Sequence, residues 1–132
     1  PRVTVAGDTV TENGKRRLTL HLDSPRGAPA LYVYASPETK VYGGSIEGNP
    51  LLSQTDRWFL SYSILPKAGV TLVLDTDAGA PVTLRAVDHS YSFPEGQVEP
   101  RPEWMIAKPN TPDFNRDPLK SDETIVGKTY TF

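Results

Sequence analysis

Cysteine is missing from this chain. That absence excludes disulfides and thiolate chemistry, and it suits the cytosol as well as a bacterial periplasm. No run of about 18 apolar residues occurs, so no stretch reads as a membrane-spanning helix. An excess of positive charge is also lacking: Lys+Arg 14 against Asp+Glu 16 leaves a formal net charge of −2, which argues against nucleic-acid binding. Histidine is scarce, with His21 and His89 alone. A zinc centre needs three or four ligands, and HExxH and its relatives do not occur. The nucleophile elbow GxSxG is absent too.

Other motifs are present only in part. Gly43-Gly44-Ser45-Ile46-Glu47-Gly48 is glycine-rich, but no GKS or GKT follows and no helical pattern opens after it, so a phosphate cradle is not expected. Asp75-Thr76-Asp77-Ala78-Gly79 resembles the start of a calcium loop. The fifth and twelfth ligand positions are then Gly79 and Ala86, which supply no side-chain oxygen, so a β-turn capped by aspartate is the better reading. His21 is expected on a solvated strand face. Asp88 and His89 are adjacent, and neighbours along a strand point to opposite faces, so Asp88 does not orient the His89 imidazole.

What the chain does have is punctuation. Its 132 residues fit one domain, and they include 13 Pro and 10 Gly, spaced too closely for long helices. Between them lie short runs rich in Val, Thr, Tyr, Leu and Phe, the pattern of an all-β protein. We expect an antiparallel β-sandwich of immunoglobulin-like or jelly-roll kind, of about eight strands, filling residues 1–132 as a single domain.

The strongest stretch is Arg57–Tyr91. Trp58, Leu60, Tyr62 and Ile64 alternate, then Val70, Leu72 and Leu74, then Val82, Leu84 and Ala86. Pro66–Gly69 and Asp77–Pro81 separate the runs with turn residues. The spacing predicts three consecutive antiparallel strands paired as a meander, with Trp58 and Tyr62 in the core.

Upstream, Val3 and Val5 alternate, Gly7 marks a bulge, and Asn13-Gly14 signals a hairpin. Leu18, Leu20 and Leu22 point inward, leaving Arg17, Thr19, His21 and Asp23 outward. Leu31, Val33 and Ala35 share one face of the next run, and Tyr32 and Tyr34 share the other. Lys40–Ile46 is a shorter strand, and Glu47-Gly48-Asn49-Pro50 a turn. After Tyr91 prolines dominate, at Pro94, Pro100, Pro102, Pro109, Pro112 and Pro118. This segment is expected to wrap the sandwich, anchored by Trp104, Met105 and Phe114. Val126, Tyr130 and Phe132 then line one face of a closing strand.

The aromatic residues Tyr32, Tyr34 and Trp104 form the candidate contact surface. No catalytic, cofactor-binding or metal-binding residue is assigned. Glu95, Glu99 and Glu103 flank prolines and read as solvated.

A resemblance covers most of the chain, including KRRLTLHLDSPRGAPALYVYAS, and is carried by the residues from Val82 to the end. These read VTLRAVDHSYSFPE, then RPEWMIAKP, then SDETIVGKTYTF. This resembles the extracytoplasmic C-terminal domain of membrane-bound di-zinc exopeptidases of the vacuolar membrane protease and endoplasmic reticulum metallopeptidase type. Asp88, Ser90, Tyr91 and Pro94 match the first motif. Arg101, Pro102, Met105 and Ile106 match the second, and Ser121, Asp122, Thr124, Val126, Tyr130 and Phe132 the third. His89 and Ser92-Phe93 depart from the pattern, at a turn.

The resemblance implies a non-catalytic accessory domain, cut from a longer chain, on the periplasmic or extracytoplasmic side of a bacterial membrane. Its partner would be the peptidase domain of the same chain. Zinc would be held there rather than here, and membrane attachment would run through transmembrane segments outside this sequence. A start at Pro1-Arg2-Val3, without Met or signal peptide, fits a fragment. Two rivals stand beside it: a carbohydrate-binding sandwich that stacks sugars on Tyr32, Tyr34 and Trp104, and a small hydrolase with a spatially assembled site.

Overall fold

A computed structural model describes residues 1–51, 57–91 and 123–132. Nine strands are found among them: β1 (Arg2–Val10), β2 (Lys15–Asp23), β3 (Ala30–Ala35), β4 (Val41–Ile46), β5 (Asn49–Pro50), β6 (Phe59–Ser63), β7 (Val70–Asp77), β8 (Thr83–Ser90) and β9 (Thr124–Thr131). They form two antiparallel sheets, β1-β2-β7-β4-β5 and β6-β3-β8-β9. The expected all-β sandwich is therefore the architecture. Met105, Phe114, the prolines from Pro94 to Pro118 and the second motif lie outside the described residues.

Alternation builds the core. Leu18, Leu20 and Leu22 of β2 face Val70, Leu72 and Leu74 of β7 in register, with Leu20 opposite Leu72. All six are buried, and they pack on Leu31, Val33, Leu60, Leu84 and Ala86 of the second sheet. Trp58, 5% exposed, and Val82 belong to the same apolar layer.

The meander is overturned. β6 pairs with β3, β7 with β2 and β4, and β8 with β3 and β9. These three consecutive strands, β6, β7 and β8, thus alternate between sheets. Proline and glycine mark where a chain reverses, but a reversal can cross the gap between two sheets as easily as return within one. The apolar phases of the three runs survive, because facing sheets share one core. Ile64 is the exception. Its φ is +62°, which swings it out of the β6 phase, and it is 88% exposed rather than inward.

The first hairpin closes differently in detail. Gly14 N–H donates to Thr11 O at 2.9 Å, and Gly14 has φ +71° while Asn13 stays negative. The β1–β2 hairpin is therefore closed by one left-handed glycine, not by a two-residue turn with both φ positive. Past Gly7 the β1–β2 register shifts, as the bulge predicts. Gly44 sits where a Cβ would lie 2.1 Å from Val73 O. That contact requires glycine for β4 to reach β7, so a residue that weakens strand propensity is here what permits the pairing.

Asp23 is also not outward and solvated. It is buried, and Arg2 clamps its carboxylate with two hydrogen bonds of 2.9 and 2.7 Å. Outside the first sheet, Arg17 pairs with Asp75 and Lys15 with Asp77. Both aspartates of the calcium-like segment are thus engaged by cations.

Candidate contact surface

The outer face of the second sheet follows from its register. Tyr34 lies between Phe59 and Arg85, Tyr32 between Ser61 and Val87, and Ala30 between Ser63 and His89. On β9, Thr129, Gly127 and Ile125 extend these three rows. Period-two alternation puts all of them on the side away from the core.

Tyr34 and Phe59 form an open aromatic pair. They are 44% and 53% exposed, with ring centroids 6.5 Å apart and planes 22° from parallel. Tyr32 is half-buried instead. Its ring lies 4.5 Å from the His89 ring, tilted by 56°, and His89 Nδ1 is 2.6 Å from Glu123 Oε1. The structure therefore brings Tyr32 and Tyr34 onto one face and leaves Tyr34 the more exposed of the two. Trp104 lies outside the described residues.

Behind this face is a buried charge. Asp88 continues the inward phase of Leu84 and Ala86 and is 0% exposed. Arg26 Nη2 donates to its Oδ1 at 2.6 Å and Ser24 Oγ to its Oδ2 at 2.7 Å. Ser24 Oγ accepts in turn from Ala28 N–H at 3.2 Å, and the Pro1 nitrogen is 3.0 Å from Asp88 Oδ2. Burial pushes the Asp88 pKa up, the hydrogen bonds from Arg26 and Ser24 oppose it, and the carboxyl is held below its ordinary value. The group is a fixed carboxylate that ties the Ser24–Pro29 loop to β8.

His89 and Asp88 do point to opposite faces, as their adjacency requires. His21 sits on the outside of the first sheet, its Nε2 only 2.7 Å from where a Cβ on Gly69 would lie. Among the described residues, no group of three or more His, Cys, Asp or Glu could hold a metal ion.

Sequence reasoning missed Phe59, His89 and Asp88 as parts of this region. Asp88 carried a usable signal: it stands two residues past Ala86 in an unbroken inward phase. Phe59 and His89 carried none, since their roles depend on both flanking β3.

Compared with protein-family models, curated proteins and solved structures, the chain matches none.

Proposed function

We propose that this chain is a non-catalytic accessory domain of a membrane-anchored di-zinc exopeptidase, facing the periplasm. It would pack on or beside the peptidase domain, shaping access to it or holding a partner. The zinc would be bound in that domain, and the membrane reached only through segments outside this sequence.

One observation carries the reading. Two residues of the first motif face two of the third on a single ladder: Asp88 opposite Val126, and Ser90 opposite Thr124. Val82 and Phe132 extend it by exchanging two hydrogen bonds of 3.0 Å. Residues far apart in sequence are thus paired, buried Asp88 among them, which supports reading them together. The gene sequence upstream of Pro1 tests the proposal. A di-zinc peptidase domain followed by hydrophobic spans is expected, and an intact gene product lacking both overturns it.

The second reading, a carbohydrate-binding sandwich, is favoured by the exposed Tyr34–Phe59 pair, since flat aromatic faces stack on apolar surfaces. Glycan-array binding that is lost in Tyr34→Ala and Trp104→Ala would support it, and silence across glycans would remove it.

A further inference from the structure

Among the described residues each sheet has two edges, and the four edge strands are β1, β5, β6 and β9. Natural sheets protect such edges by shortness, bulges, proline or charge. β1 is broken by its bulge between Val5 and Gly7. β5 has two residues and ends in Pro50. β6 has five and runs into left-handed Ile64. β9 has eight residues, no proline, one charge at Lys128, and an unbroken register with β8.

The polarity of that edge can be derived. Val82 and Phe132 exchange both their hydrogen bonds. In an antiparallel ladder such pairs alternate with non-bonded ones, so Tyr130, Lys128, Val126 and Thr124 turn their N–H and C=O toward β8. Ile125, Gly127, Thr129 and Thr131 therefore turn theirs toward the open edge. Ile125, 56% exposed, flanks this row.

We propose that the β9 edge binds an extended peptide as an added strand, and that the peptide carries an acidic side chain opposite Gly127. The inference does not depend on the parent chain being a peptidase. Charge selects the occupant. Gly127 has no side chain, and the Arg85 guanidinium lies across it, with Nε and Nη2 both 3.5 Å from where a Cβ would be. Arg85 is exposed and enters no ion pair among the described residues. Lys128, next along the strand, points to the other face, beside Tyr130. A carboxylate arriving at this point meets the Arg85 guanidinium. A second copy of the chain fits worse: pairing about a two-fold axis through Gly127 sets Lys128 diagonal to its own copy and brings two Arg85 guanidinium groups to the seam.

The test uses the 132-residue chain, isotope-labelled, and short synthetic peptides of alternating valine and threonine with a central glutamate or a central lysine. In the free protein, the Ile125, Gly127, Thr129 and Thr131 amides exchange fast with solvent while Val126, Lys128 and Tyr130 are protected. The glutamate peptide is expected to protect the fast set and to bind about fivefold tighter than the lysine peptide, the scale of one exposed attractive charge pair set against one repulsive pair. Arg85→Ala, an exposed side chain whose loss leaves the core intact, should abolish most of that preference while the peptide still protects the edge. Gly127→Pro should block binding without removing a β8 hydrogen bond. The proposal is overturned by protection that falls elsewhere, by no binding at millimolar peptide, by equal affinity for both peptides, or by dimerisation of the chain alone through β9.

Discussion

Removing the Arg26 guanidinium is the sharpest test of the charge buried behind the aromatic face. Asp88 is fully buried and accepts from Arg26 at 2.6 Å. Breaking a buried pair by deleting one partner typically costs about 3–5 kcal/mol, because the other charge stays uncompensated. Here the Arg26 side chain is 26% exposed, and Ser24 still donates at 2.7 Å. We therefore expect about 2–3 kcal/mol for Arg26→Ala, or roughly 8–12 °C in Tm at this chain length. The pH dependence carries a sign. Asp88 is held below its ordinary value of 3.8, so its stabilisation is fully present above that pH and is lost as pH falls through it. In Arg26→Ala, burial is opposed by fewer donors and the carboxyl pKa rises, so protonation relieves the variant first. The gap between wild type and variant should thus be widest near neutrality and narrow below about pH 4. Asp8, Asp23 and Asp75, also held low by their arginine partners, and Asp77, held low by hydrogen bonds with Tyr42 and then Lys15, titrate alike in both proteins and cancel. Urea unfolding across pH reads this directly. A cost below about 1 kcal/mol, or a gap that does not change with pH, would refute the argument.

Three further substitutions test the packing. Trp58→Ala should cost about 3–5 kcal/mol, since the side chain is nearly all buried, and an unchanged thermal melt would contradict its place in the core. Gly44→Ala should cost at least about 2 kcal/mol, because its Cβ would meet the Val73 carbonyl oxygen at 2.1 Å and one strand must shift; denaturant midpoints measure it. Ile64→Asn should stabilise by about 0.5–1 kcal/mol, as a β-branched residue at φ +62° gives way to one that tolerates that region and little packing is lost. A lower Tm for Ile64→Asn would place that conformation in doubt.

Much of the fold was legible because burial is periodic. Leu18, Leu20 and Leu22, the Gly7 bulge and the two faces of β3 follow from alternation and turn chemistry alone. Strand partners were not legible. The same Pro and Gly signals serve a reversal inside a sheet and a crossing between sheets, so β6, β7 and β8 read as neighbours although β7 lies in the opposite layer. Ile64 was misplaced because a single left-handed residue breaks the phase without any local mark. Of the candidate surface, alternation put Tyr32 and Tyr34 together. It could not supply Phe59 and His89, which flank β3 only through pairings more than twenty residues away in sequence, nor Arg26, which lies 62 residues before Asp88.

The two-layer arrangement is what sets Tyr34 outside and Asp88 inside the same sheet, and cross-strand nuclear Overhauser effects test it most directly. Backbone proximities are predicted between Leu20 and Leu72, between Gly44 and Leu74, and between Val33 and Ala86. Backbone proximities running from β6 to β7 and from β7 to β8 would contradict the two-layer order.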